Sequence, residues 1–339
     1  MDRCMAKSSL PAETALTTFI RTVGGDITPA ELGFCHSHEH LFLADGAPRR
    51  LNPDLWFDEY GKSLQELSDY KAIGGSAIVD AQPLGCGRME RELVAVSQAA
   101  GVHVIASTGF HKLAMYSPQH WIHRASEEEL SSLFISELTA GMYTGTDQGA
   151  ELPLDGQISA RAGQIKTAVD DERMADPNKR WFAAAARASL ATGAPIMCHT
   201  ESLAQARWMA AYYRACGVPA ERVILCHLDR RLEQREAHLA LVSEGFYLEY
   251  DTIGRFKYHS DEAEATWIAA MLAEGAASRL LLGLDTTRAR LRAYGGEIGL
   301  CHLRERFLPL LAAAGATADQ LLRLMELNPA QAFAWRTSR

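Results

Sequence analysis

Eight short β-branched or apolar runs alternate with helix-patterned segments along most of this 339-residue chain. The runs are "LGFCHSHEH", "GGSAIVDA", "VHVIASTGF", "AGQIKTAV", "APIMCHTE", "RVILCHLD", "FYLEYDTI" and "RLLLGLDT". Between them lie Ala-, Leu-, Glu- and Arg-rich stretches such as "RMERELVAVSQAAG" and "NKRWFAAAARASLATG", several of which finish in Gly, a common helix stop. Such alternation implies an all-parallel sheet covered by helices, and eight is the number that closes a (β/α)8 barrel. A doubly wound sheet would show a Gly-rich phosphate turn after an early strand, and none is visible. The sequence therefore predicts an α/β fold: a single (β/α)8 TIM barrel over residues 18–339, after a flexible leader at 1–17. "TTFIRTVGGDIT" predicts a short N-terminal strand pair. "HLRERFLPLLAAAGATADQLLRLMELNPAQAFAW" predicts extra C-terminal helices, with a break at Asn328-Pro329. The longest connection, about 109–162, carries one helical stretch, "SEEELSSLFISELTAGM", and then the polar "YTGTDQGAELPLDGQ".

Composition narrows the function classes. A net charge of −8 argues against general affinity for nucleic acid or anionic membrane, so an anionic ligand would need a local basic patch. The seven cysteines are odd in number, scattered, and form no CxxC pair, which speaks against a zinc ribbon or a disulfide framework. No signal-like leader and no apolar run long enough for a bilayer is present. The expectation is a cytoplasmic protein with reduced thiols.

The ends of the barrel strands carry the chemistry, because active sites of such barrels lie at that face. "LGFCHSHEHLFL" places His36, His38 and His40 at every second position, the period that puts side chains on one face of a strand. His38 and His40 belong to the mouth. His36 lies one layer lower in the same phase and reads as a packed or supporting group, while Glu39 should point away. Strand four adds Lys166, strand five His199, strand six His227 and strand eight Asp285. Six such donors are too many for one tetrahedral zinc ion but suit two ions sharing a bridge. An ammonium beside two dications would be repelled, so Lys166 must act as a neutral amine or, better, as a carboxylated side chain bridging both. If His199 and His227 face the lumen, Cys198 and Cys226 should face the helices, and Gly283 leaves room beneath Asp285. Asp80 divides evenly between a partner of the ligands and a helix cap.

With "GF–HEHL", "VDAQPLGCGR", "STGF", "RAGQIK", "CHTE", "CHLD", "GLD" and "NPA" in this order, the chain resembles the phosphotriesterase-related family of the amidohydrolase superfamily over about residues 20–335. The resemblance implies a binuclear centre with a carboxylated Lys166 as bridge. It assigns His38, His40 and Asp285 to the more buried ion, and His199 and His227 to the more exposed one. Zinc is the expected metal, with manganese, cobalt or iron as alternatives, and a homodimer the expected assembly. The implied reaction is hydrolysis by a metal-bridging hydroxide, with Asp285 as the catalytic proton carrier.

The sequence departs from the founding organophosphate hydrolase of that family at two points. Thr252 and Arg230 stand where that enzyme has the His and the acid that carry protons outward. A lactone keeps its proton on the new hydroxyl and needs no such exit, so a lactone is the first expectation. Phosphotriester hydrolysis, N-acyl amide hydrolysis and non-catalytic ligand binding are the alternatives. Substrate contacts are expected from His111 and from the loops after strands seven and eight: Arg255, Lys257, Tyr258, Arg288 and Tyr294. The last two loops are where such barrels often hold phosphate, so a polar or phosphorylated sugar lactone is expected. The bland alternative for any one of these cations is a solvated rim.

Overall fold

The computed structural model describes residues 17–147, 152, 156–170 and 178–337. The expected leader, apart from Thr17, and much of the polar stretch around residues 148–155 lie outside the described residues.

The barrel staves are β3 (Cys35–Glu39), β4 (Ala77–Asp80), β5 (His103–Ile105) with β6 (Ser107–Gly109), β7 (Gln164–Ala168), β8 (Ile196–His199), β9 (Val223–Leu225), β10 (Tyr247–Tyr250) and β11 (Leu280–Leu282). All neighbouring pairs are parallel. The third stave is broken at Ala106, so that β5 pairs with β4 while β6 pairs with β7. Between β11 and β3 the ring is stitched by Asp285 N–H donating to His38 O at 3.0 Å. The Glu39 carboxylate adds to that seam by accepting from Leu284 N at 2.9 Å and Thr286 N at 3.2 Å. Glu39 is thus structural, as expected. Gly283 belongs to the same seam: a Cβ there would stand 2.8 Å from His38 O. The glycine lets two staves approach; it does not make room beneath a metal.

The helices α1 (Tyr60–Ala72), α2 (Glu90–Ala100), α3 (Glu127–Thr139), α4 (Lys179–Thr192), α5 (Leu203–Ala215), α6 (Arg235–Ser243) and α7 (Asp261–Ala273) cover the ring. Their ends follow local rules. Ser126 and Glu129 form a reciprocal cap at the start of α3. Gly101 (φ 64°) and Gly193 (φ 88°) end α2 and α4 in the left-handed conformation that favours glycine. Helix α4 buries Trp181 and Phe182 against Phe110, with ring centroids 5.3 and 5.1 Å apart, fixing the loop after β6.

Below the mouth the lumen is largely apolar, filled by Cys35, Val79, Ile105, Met197, Ile224 and Leu281, with Gln164 bonded to Ser107 Oγ at 2.9 Å among them. Its lower end is plugged by Ile20 from the N-terminal hairpin β1 (Thr17–Thr22) and β2 (Gly25–Ile27) and by Phe333. The chain does not finish as helices. Ala334–Thr337 forms β12, antiparallel to β1, because Trp335 reaches under the barrel and donates to Gly163 O at 2.8 Å. Nor is Asn328-Pro329 a break: a helical turn, Asn328–Ala332, follows a wide turn, and the Asn328 amide ties it to Leu280 O at 2.7 Å. No described helix is long and apolar enough to cross a membrane.

Candidate metal centre

All six expected ligands meet at the mouth. On one side His38 Nε2 lies 3.1 Å from Lys166 Nζ and 3.7 Å from Asp285 Oδ1, and His40 Nε2 is 3.3 Å from the same carboxylate oxygen. On the other, His199 Nδ1 and His227 Nε2 face each other at 2.8 Å. The His38 and His227 rings, 4.9 Å apart, join the two groups. His227 (φ 62°) and Asp285 (φ 47°) are two of only three described non-glycine residues in the left-handed region. Backbone strain of this kind collects at functional sites.

The strain at His227 also resolves a parity conflict. Cys226 belongs to the lumen cluster rather than the helix layer, unlike Cys198. Strand parity alone would then turn His227 outward; the left-handed turn after β9 brings it back to the mouth.

What aims the imidazoles is a set of carboxylates that the strand-end reading passed over. Asp251, just after β10, accepts from His227 Nδ1 at 2.6 Å and lies 3.1 Å from His38 Nδ1. One carboxylate therefore orients a ring of each group and leaves both Nε2 atoms facing the centre. Glu249 takes His38 Nδ1 at 2.7 Å, and Glu201 lies 2.8 Å from His199 Nε2. Their signal was present: Glu249 and Asp251 are two apart in an otherwise apolar run, and Glu201 is two beyond His199. Burial resists ionisation of Asp251, yet the His227 and His38 rings hold its carboxyl well below the usual range. Burial and the nearby Lys166 push His38 down to about 3, so its ring is neutral. Asp285 is likewise held low against burial, chiefly by Arg255, whose Nη2 is 2.8 Å from Oδ2.

These residues fit a metal pair. His38 Nε2, His40 Nε2, Asp285 and Lys166 would hold one ion, and His199 Nδ1 with His227 Nε2 the other. Lys166 is fully buried, with only His38 Nε2 and Met197 Sδ as described hydrogen-bond partners and no carboxylate among them. A buried amine so placed suits ligation or carboxylation better than a lone charge. A second buried set, His38, Cys226, Glu249 and Asp251, also lies within ligating reach of itself. Burial and Glu249 push the Cys226 thiol well up, and its carboxylates are already engaged with His38 Nδ1. It is the supporting layer.

A cavity of about 290 Å3 opens above the centre, lined by His111, Arg255, Lys257 and Tyr258 as expected, and by Arg230 and Gln82 besides. His111 Nδ1 accepts from Lys112 N at 2.8 Å, which leaves Nε2 without a partner among the described residues. Arg288 and Tyr294 do not line it. Arg288 packs over the Trp56 ring at 5.2 Å, and Tyr294 Oη bonds the Glu59 backbone, so both brace the loop before α1. Arg290 clamps the Leu284 and Ile253 carbonyls beneath the mouth. His36 is not in the lumen phase, because the register slips between His36 and Glu39. Its ring packs on Tyr70 of α1 at 4.7 Å, with Nδ1 2.8 Å from Glu39. Asp80 is neither cap nor direct partner of a ligand: it accepts from Leu41 N at 2.8 Å, pinning the chain just past His40.

Comparison with known proteins bears on the whole chain. The profile of the phosphotriesterase family matches residues 18–333. A phospho-furanose lactonase from Mycoplasmopsis synoviae is 29% identical over 332 residues, spanning 95% of this chain and 93% of that protein. The crystal structure of a lactonase from Listeria monocytogenes superposes with a TM-score of 0.83 at 26% identity, covering 95% of this chain and 99% of that one. That of an Escherichia coli phosphotriesterase homology protein, with phosphate in its active site, gives 0.79 at 26% identity, covering 89% and 99%. The chain is a hydrolytic enzyme and belongs to the phosphotriesterase family.

Proposed function

We propose that the protein is a binuclear metal-dependent lactonase acting on a polar, phosphorylated sugar lactone. The observation that carries this is the cavity itself: His38, His40, Lys166, His199 and Asp285 line it, and so does a cation with no described acidic partner. Lys257 is that cation; its ammonium lies 4.8 Å above the Tyr258 ring and is exposed at the rim. Arg230 and Lys112, by contrast, are both paired with Glu201, and Arg255 is paired with Asp285. A phosphate remote from the scissile bond would find Lys257 ready and Tyr258 beside it. The phosphorylated substrate named for the mycoplasma relative and the phosphate bound by the E. coli one support the same chemistry.

Bound divalent ions, with zinc expected, would acidify a shared water and polarise the acyl oxygen. This chain's residues do the rest. Lys166, as a carboxylated side chain, would tie both halves of the ligand set together. Arg255 aims Asp285 by holding Oδ2 and the main-chain carbonyl. Asp285 takes the proton released at the centre and returns it to the departing ring oxygen. No outward relay is needed, because that oxygen stays on the product as its hydroxyl. None is built at the expected positions: Thr252 N bonds Asp229 Oδ2 at 2.6 Å, and Arg230 is paired with Glu201. We propose a homodimer, which light scattering of the purified chain tests.

The test is a panel of phosphorylated and alkyl lactones, neutral triesters and N-acyl amino acids given to the metal-loaded protein. The phosphorylated lactone should be turned over with the highest kcat/KM. Faster hydrolysis of a triester, an N-acyl amide or an oily lactone overturns the reading.

A further inference from the structure

Gln82, two residues past Asp80 on the loop after β4, has only 3% of its surface exposed, yet lines the same cavity as His38, His40 and Asp285. Its main chain is fixed, since Gln82 N donates to Asp80 Oδ1 at 3.1 Å. Its side chain is fixed too. Nε2 donates to the Cys86 carbonyl and lies 3.1 Å from Cys86 Sγ. A carbonyl oxygen can only accept, so the amide has one allowed orientation, with nitrogen toward Cys86. Oε1 is then the atom left over, and it has no hydrogen-bond partner among the described residues. The other uncharged amide at the mouth, Asn52, already spends its oxygen on Asp54 N at 3.0 Å.

An oriented, unmet acceptor in a small cavity selects for a donor. Phosphate and carboxylate groups offer acceptors at neutral pH, and alkyl lactones and triesters offer no donor at all. A hydroxyl does. Around the ring, the Gln82 loop and the Lys257 loop are separated by staves β3 and β11, the two that carry His38, His40 and Asp285. A ligand whose anionic end meets Lys257 and whose scissile group lies over the centre would extend its other end toward Gln82.

We infer that Gln82 Oε1 is a recognition site for one hydroxyl of the substrate, at the end of the molecule remote from its anionic group. This deepens the lactonase reading and rests on it for the identity of the substrate, though the site can be tested without turnover.

The test is calorimetric binding of a pentitol 5-phosphate, its monodeoxy analogues and inorganic phosphate to metal-loaded wild type and Gln82→Met. On the wild type, one deoxy analogue should bind about tenfold weaker than the parent, the usual effect of leaving a buried polar group unpaired. In Gln82→Met that discrimination should collapse to within about twofold while inorganic phosphate binds as before. If every deoxy analogue binds the wild type like the parent, or the same discrimination persists in Gln82→Met, the inference falls. The deoxy series needs no variant, so a poorly folded Gln82→Met leaves the first criterion in force. Failure of all lactones in the turnover panel would sink the lactonase reading while leaving this binding result to stand or fall alone.

Discussion

Replacing Asp251 with Asn would keep the shape of the side chain and remove the device that aims both halves of the centre. In the wild type its two oxygens serve His227 Nδ1 at 2.6 Å and His38 Nδ1 at 3.1 Å, so each ring presents Nε2 to the ligand position. Asparagine has one acceptor oxygen and one NH2 group. Glu249 can still hold the proton of His38 on Nδ1, but where the amide turns its NH2 to His227 that ring must offer a lone pair and carry its proton on Nε2, where it can no longer ligate. Loss of one orienting partner weakens a metal site by about 10- to 100-fold. His38 keeps Glu249 as a second acceptor at 2.7 Å, so the loss falls mainly on His227 and is roughly 10- to 100-fold, or about 1.5–3 kcal/mol. Competition with a chelator of known zinc affinity reads this directly, and melting of the metal-free protein checks that the variant still folds. Zinc affinity within about threefold of wild type in a folded Asp251→Asn would refute the tautomer argument.

Arg88 and Glu137 form a fully buried pair with contacts of 2.6 and 2.8 Å, so Arg88→Met alone should cost about 3–5 kcal/mol in denaturant melts, and Arg88→Met with Glu137→Leu should recover much of it. Burial pulls His120 down to about 4, with Nδ1 accepting from Ile122 N and Nε2–H donating to Thr146 O, so protonation would break the first bond. Its folded value lies below the unfolded value of about 6.5, so its share of stability is whole above that pH and is lost as pH falls toward 4, by up to about 3 kcal/mol. Subtracting the pH–stability curve of His120→Gln from that of wild type should show this slope, and parallel curves would dismiss it. Lys257→Ala should raise KM for the phosphorylated lactone by roughly tenfold or more while sparing an unphosphorylated one. Arg288→Ala, packed on Trp56 outside the cavity, should stay within about twofold of wild type in KM.

The barrel and the cluster at its mouth were legible because both depend on short-range period. Alternating runs reveal strands, and donors at run ends reveal a mouth, so the meeting of His38, His40, Lys166, His199, His227 and Asp285 there could be foreseen without coordinates. What escaped depends on irregular backbone or on cross-strand distance. The register slip after His36 turns that ring to the helices. The left-handed turn at His227 reverses the parity inferred for Cys226. Arg288 and Tyr294 occupy the expected loop, but a loop residue's direction is set by what it packs on, here Trp56 and the Glu59 backbone. Asp251 carries a signal in its spacing from Glu249, but its place between His227 and His38 is set by contacts made across the ring.

Metal content is the most direct test of the account. Protein purified without chelator should contain close to two equivalents of a divalent metal by elemental analysis, and His199→Ala with His227→Ala should retain about one. A wild-type enzyme that hydrolyses its substrate at full rate with one equivalent or none would contradict the binuclear centre on which every later step depends.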